Sequence, residues 1–382
     1  MPRMEKIAVI SQFKVYDELA AGMAEVGLTV LPCPDLTALR ERLSRRECDT
    51  VFDINFHAEI WEECVRAEVG YTVWSFDSNV VKALSGIDSS RLRPNDRLFL
   101  FNCREAAEIS AFHPSTWYLP FAAGHDFERP PRRRDFRYEV AFVMNSYVDT
   151  RQQAERDFRV QWQQAEAVER RRLELAYEMS ETLVSGLQYA YGDRQVEYHW
   201  NRLAVQCGLD PLGPDPAVRG RFFRGVGQLI SARQRETCLR ALGAAGFQVA
   251  VYGDDYWRGV AADYSGVTFF GSADYAALPE IYNAAKINLN LTQVQNLDSV
   301  PQRIFHLLAA GGFTLTNSSS PLTELFCAGT HLQTFFAPAE LTEGVRYYLV
   351  HDRDRIKIAE RGHDEFLRHH RLADRLRRIF AD

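Results

Sequence analysis

The residues with the greatest chemical reach lie in the stretch 288–326, NLNLTQVQNLDSVPQRIFHLLAAGGFTLTNSSSPLTELF. An apolar strand is expected to end at Leu291, a polar loop follows, and a helix is expected over Pro301–Ala310, closed by Gly311 and Gly312. Proline suits the first helical turn, where its missing N–H costs nothing. A helix start offers unpaired N–H donors and a partial positive charge, so it can hold a phosphate or diphosphate without a metal. Arg303 in that first turn would add a charge-assisted contact. Asn290 and Thr292 alternate in a way that lines a polar pocket, or else satisfy loop backbone. The plainer reading of the stretch is a buried helix–strand unit with Arg303 on the surface.

In open parallel α/β sheets ligands bind beyond the carboxyl ends of the strands, and that rule picks out further residues. Asp77 ends the run YTVWSF and is read as a general base or as a cap on the next helix. His57 follows Thr50–Ile54, and His125 precedes a basic segment; both are candidates for catalytic, acceptor or phosphate contacts. Ser146, Gly253 and Gly271 follow later strands and are candidate donor contacts. Tyr252 reads as a core aromatic or a base-stacking ring. Asp352 and Asp354 form a D-x-D pattern in a charged helical run, which reads as a solvated face, so no metal site is expected.

The elements needed to position these residues are legible as alternation. Short apolar runs at Lys6–Ile10, Thr29–Leu31, Thr50–Ile54, Tyr71–Phe76, Arg97–Phe101 and Thr116–Leu119 are separated by helical stretches such as Val15–Glu25 and Leu36–Arg45. A second series runs through Tyr138–Met144, Phe247–Tyr252, Val267–Phe270, Lys286–Leu291 and Phe313–Asn317. Runs of this kind argue for parallel sheets covered on both faces. The expected division is a domain over 1–127, a basic proline-containing linker over 128–137, and a second domain over 138–365 with a helical insertion at about 150–225. A last helix over 366–382 would cover either half. Within the insertion Ala176, Met179, Leu183 and Leu187 form one helical stripe, expected to be buried.

The chain has 382 residues, of which 46% are apolar and 25% charged, and a formal net charge of −6. That balance argues against sequence-independent nucleic-acid binding. No apolar run approaches the roughly 20 residues of a membrane span, and the start MPRMEKIAVISQF carries no secretory pattern. Seven cysteines without a C-x-x-C pair suit a reducing cytoplasm.

The stretch 288–326 resembles the donor-binding half of GT-B glycosyltransferases, in particular the family typified by the spore maturation protein CgeB. That family carries D-S-x-x-P-x-R-x-F-E-x-L-A-C-G-G-F-x-L-T. Here Asp298, Ser299, Pro301, Arg303, Phe305, Leu308, Ala309, Gly311, Gly312, Phe313, Leu315 and Thr316 match it. Upstream, Tyr252-Gly253, Val267–Gly271 and LPEIYNAAKINLNL are similar to further segments of the family. The resemblance implies two Rossmann-like domains with parallel sheets facing an interdomain cleft. It also implies a nucleoside-diphosphate sugar as donor substrate, an acceptor bound mainly by the first domain, and transfer without an obligatory metal or cofactor. Asp298, Ser299 and Arg303 would then be donor contacts.

The chain departs from the pattern at His306, where the family has glutamate. Retaining GT-B enzymes often place two carboxylates eight residues apart around the donor, and Asp298 and His306 keep that spacing with one carboxylate lost. A non-catalytic nucleotide-sugar-binding protein with a degenerate site, or another two-lobed enzyme such as an epimerase, therefore stays open. The insertion is read as an acceptor-binding, homodimer or partner surface.

Overall fold

A computed structural model describes residues 6–10, 16–77, 80–84, 87–187 and 196–380 of the chain. Residues 11–15, where the first helix is expected to begin, and 188–190, the end of the long polar helical stretch, lie outside the described residues.

Six strands form one parallel sheet: β1 (Lys6–Ile10), β2 (Thr29–Cys33), β3 (Thr50–Ile54), β4 (Gly70–Trp74), β5 (Asp96–Leu100) and β6 (Thr116–Tyr118), in the order β2-β1-β3-β4-β5-β6. Six more form a second parallel sheet: β7 (Tyr138–Val143), β8 (Val249–Tyr252), β9 (Val267–Phe269), β10 (Ala285–Asn290), β11 (Thr314–Asn317) and β12 (Gln333–Phe335), in the order β12-β11-β10-β7-β8-β9. Among the described residues every pairing between these strands is parallel, and helices connect most strands in sequence. Strand direction of travel reverses between β1 and β3 in the first sheet and between β7 and β10 in the second. At such reversals the neighbouring crossovers lie on opposite faces and leave a crevice at the carboxyl edge. The short edge strand β12 is not marked in the sequence; it has three residues and, among the described residues, pairs only with β11.

The chain divides into two units. The first comprises Met1–Glu128, Asp298–His306 and Asp364–Asp382; the second comprises Arg129–Leu297 and Leu307–His363. Two segments stand differently from the expected division. The segment Asp298–His306, expected in the second domain, groups with the first unit. There Cys103 N donates to Asp298 O at 2.9 Å, Ser299 forms an antiparallel bridge with Asn102, and His306 stacks on Phe127. The expected linker 128–137 is solvated at Arg134 and Asp135, whose side chains are 90% and 83% exposed, and is also held by partners along its length. In the second unit Arg129 pairs with Glu280 at 2.9 Å, Arg133 pairs with Glu360, and Asn283 Nδ2 donates to Pro130 O at 2.9 Å.

The expected last helix is two helices, Asp352–His369 and Leu372–Ile379. The second packs in the first unit against the helix Tyr16–Glu25. A Cβ on Gly22 would stand 2.9 Å from both Leu372 and Leu376, and Arg375 Nε donates to Pro120 O at 3.0 Å. The insertion consists of Val148–Gln164, Ala167–Leu187 and Val196–Cys207, leading into Pro216–Ala244, which absorbs the expected helix at Ala232–Ala245. Ala176, Met179, Leu183 and Leu187 are buried as the stripe predicts, in a core shared with Trp200, Ile230, Val294 and Leu297.

The glycine pair after the helix Gln302–Ala309 divides its work. Gly311 takes the left-handed conformation at φ +65°, whereas Gly312 is constrained by space: a Cβ there would lie 2.6 Å from Asn288 Nδ2 and 3.1 Å from Tyr282 O. Gly312→Val is therefore expected to lower stability by about 1–3 kcal/mol through overpacking, read from the denaturation midpoint. An unchanged midpoint would contradict the close approach.

Candidate functional site

At the carboxyl edge of the first sheet, beside the reversal between β1 and β3, the chain places Asn55 and His57. Asn55 adopts φ 67°, a left-handed conformation that asparagine tolerates better than most residues. Its Oδ1 accepts from Phe76 N at 2.7 Å and Asp77 N at 3.0 Å, and its own N–H donates to Trp74 O at 3.2 Å. One side chain thus ties the end of β3 to the end of β4 and holds Asp77 in place. Asp77 is exposed.

His57 heads the helix Ala58–Arg66 and lies one turn of chain beyond Asp53. Its Nδ1 is 2.8 Å from Asp53 Oδ2, and Tyr71 Oη donates to that same oxygen at 2.7 Å. Asp53 is 1% exposed within β3, while the His57 side chain is 39% exposed. The hydrogen bond to Asp53 raises the His57 pKa above its ordinary value, against the opposing effect of burial. Burial lifts the Asp53 carboxyl, and the bonds from His57 and Tyr71 pull it back. Reading only beyond strand ends found His57 and missed Asp53 and Tyr71. The available signal was an acidic residue in the otherwise apolar run TVFDI, four positions before a histidine. His125 stands elsewhere in the first unit, on the turn His125–Phe127, with an 85% exposed side chain and a 3.6 Å pairing to Asp126.

In the second unit the loop after β7 is held from three sides. Trp257 Nε1 donates to Met144 O at 2.6 Å, Arg235 donates to Asn145 O at 2.6 Å, and Asp254 Oδ2 accepts from Ser146 N at 2.6 Å. Arg235, 3% exposed, also lies 4.4 Å from the centroid of the Tyr147 ring. It places a guanidinium at this reversal point that no local sequence motif marks, because it sits far away in sequence on a long helix. Gly253 N donates to Gly271 O at 3.0 Å, and Gly271 has φ +83°. Any Cβ on Gly253 would meet Met144 O at 2.3 Å.

Other donor candidates are engaged in holding the sheet. Asn290 Nδ2 donates to Thr316 Oγ1 at 2.9 Å, and Thr292 N donates to Asn317 Oδ1 at 2.7 Å, which joins the ends of β10 and β11. Tyr252 stacks on Phe270 at 5.0 Å, and its hydroxyl lies 2.9 Å from that of Tyr138, at the amino end of β7.

Of the first-unit segment, Ser299 is fully buried, while Asp298 and Arg303 are half-buried. His306 is 5% exposed and stacks on Phe127 with centroids 3.8 Å apart and planes at 10°. Burial, assisted by Arg303, lowers its pKa to about 3. It is a neutral packed ring, unlike the glutamate that it replaces in the resembled pattern.

Asp352 accepts from Arg355, and Asp354 accepts from Tyr347 Oη at 2.9 Å. Among the described residues no group of three or more His, Cys, Asp or Glu side chains gathers, and no helix is long and apolar enough to cross a membrane.

Residues 233–381 match a family model described as glycosyl transferase-like. A search of curated protein sequences finds no match. Solved structures similar in fold include the Anabaena protein HepE in complex with UDP and glucose (9% identity, TM-score 0.54, 99% of this chain and 98% of that one). The T4 phage β-glucosyltransferase in complex with its UDP-glucose substrate is similar at 9% identity and TM-score 0.52 over 99% and 100% of the two chains. Sucrose-phosphate synthase from Thermosynechococcus elongatus is similar at 9% identity and TM-score 0.55 over 97% and 96%. The fold is the two-domain, Rossmann-like GT-B architecture of glycosyltransferases.

The packing of His306 has a measurable consequence. Its folded pKa, about 3, lies below the unfolded value near 6.5, so the unfolded chain binds more protons between these limits. Stability is then lost as pH falls from about 6.5 toward 3, at up to ~1.4 kcal/mol per pH unit. His306→Phe, which keeps the stack on Phe127, is expected to flatten that slope between pH 6.5 and 5 in chemical denaturation. An equal slope in the variant would show that His306 does not carry it.

Proposed function

We propose that this chain is a glycosyltransferase that moves a sugar from a nucleoside-diphosphate donor, with uridine as the base, to a hydroxyl of a glycan, protein or small-molecule acceptor, with no obligatory metal. The observation that carries this reading is the glycosyl transferase-like match over residues 233–381, which takes in Gly253, Gly271, Asn290, Thr292 and the Asp298–His306 segment. The choice of uridine rests on HepE and the phage enzyme, both solved with UDP or UDP-glucose. In this reading the β7–β10 reversal, with Ser146, Gly253 and Gly271, takes the nucleotide. Arg303 and the start of its helix stabilise charge developing on the leaving diphosphate. His57 receives the acceptor proton, with the exposed Asp77 and His125 as the further acid–base groups. Seven free cysteines fit a reducing, cytoplasmic setting.

A second reading, a nucleotide-sugar-binding protein without turnover, is favoured by His306, whose buried imidazole stands at the glutamate position of the resembled pattern. Thermal shift with UDP-, GDP-, ADP- and TDP-sugars separates the readings. A UDP-sugar that raises the melting point and is slowly converted to free UDP supports the transferase; stabilisation without release supports the second reading. A melting point that no nucleotide sugar moves would refute both. Arg303→Ala is expected to weaken UDP binding about tenfold or more, as loss of a charge-assisted contact, while the fold persists. Equal affinity by calorimetry would remove Arg303 from the donor site.

A further inference from the structure

Asp53, Tyr71 and His57 form a linked set within the first unit. Asp53 lies in the middle of the sheet, and its Oδ2 is approached both by Tyr71 Oη at 2.7 Å and by His57 Nδ1 at 2.8 Å. Tyr71, itself fully buried, accepts the His57 backbone N–H at 3.1 Å through the same hydroxyl. The histidine is thus fixed at its ring and at its backbone by two residues on adjacent core strands.

We infer that Asp53 and Tyr71 are positioning residues that hold His57 as the base for the acceptor hydroxyl, and that sugar transfer is a single displacement with inversion at the anomeric carbon. The inference rests on the transferase reading. A carboxylate at Nδ1 keeps the neutral imidazole proton on that nitrogen and leaves the basic lone pair on Nε2. In the step, the acceptor oxygen forms a bond to the anomeric carbon while its proton passes to His57 Nε2. The bond from that carbon to the diphosphate oxygen breaks, and its electron pair leaves with the nucleoside diphosphate. No oxidant, reductant or further reactant is needed.

A purely structural role accounts less well for the arrangement. A buried carboxylate in a strand is costly, and the Tyr71–Asp53 link alone would be served by a neutral amide. What asparagine cannot supply is a negative charge against an imidazolium formed when His57 takes a proton. The titratable groups facing this set are Asp53 on β3, Tyr71 on β4, and Glu59 and Cys64 on the helix Ala58–Arg66. Glu59 adds to the field that favours the protonated ring, and Cys64 adjoins Tyr71.

The test uses the full chain and begins without ligand. Nitrogen-15 NMR of the histidine rings should show the Nδ1-protonated tautomer for neutral His57 and a titration midpoint above 6.5. In Asp53→Asn the midpoint should fall by about one pH unit or more. With a UDP-sugar donor, His57→Asn and Asp53→Asn should lose roughly a hundredfold or more in kcat at unchanged donor affinity. Tyr71→Phe should retain donor binding and lower kcat, and the acid limb of kcat/KM in Asp53→Asn should move to lower pH. The product anomer should be inverted. An Nε2-protonated tautomer in the wild type, an unmoved midpoint in Asp53→Asn or a retained anomer would overturn the inference while leaving UDP-sugar binding intact. Absence of any UDP-sugar binding would instead overturn the transferase reading and the inference with it. The wild-type tautomer is decisive even if a variant fails to fold.

Discussion

A carboxylate in the interior of a parallel sheet is tolerated only where hydrogen bonds meet it on the spot. At Asp53 that demand organises the working edge of the first unit. Tyr71 must lie beside it on β4, His57 must turn back over it after β3, and Asn55 must take a left-handed conformation so that the chain reverses in time. Asn55 in turn holds the end of β4 and the backbone of Asp77. Three side chains with few alternatives therefore fix the geometry around one half-buried imidazole, and the remaining sheet serves as the frame that keeps β3 and β4 in register.

Much of this architecture was legible in the sequence, because parallel strands buried on both faces leave a strong signal. Thr50–Ile54 and Lys6–Ile10 were read to the residue, and most other strands within one or two positions. The strand-end rule led to His57 for a sound physical reason. It could not lead to Asp53, because the rule looks beyond strands and the residue lies within one. Arg235 was hidden differently: it reaches Asn145 from ninety positions away, and no local pattern marks a helical arginine as buried.

Other features are only half legible, because composition does not determine environment. The segment ERPPRRRDFR reads as solvated, and Arg134 and Asp135 are, but composition does not show that Glu280, Asn283 and Glu360 hold Arg129, Pro130 and Arg133. Asp298 and His306 keep a suggestive spacing, but spacing says nothing of what covers a side chain, and Phe127 covers His306. Asn290 and Thr292 alternate as pocket residues do, and the Asn290 amide and the Thr292 backbone N–H also join the ends of β10 and β11. In each case a partner distant in sequence sets the surroundings.

The first unit draws on three separate stretches of chain, the last being Asp364–Asp382. Leu372 and Leu376 complete the packing around Gly22, and Arg375 reaches the backbone at Pro120 and Phe121. Synthesis proceeds from the amino terminus, so the β1–β6 sheet leaves the ribosome before the whole second unit, and its covering helix comes only after that unit. Until then the exposed flank of the helix Tyr16–Glu25 is an apolar surface without its cover. A nascent chain stalled short of residue 364 would consequently present a sticky, incomplete half to chaperones, even with the whole β1–β6 sheet already made.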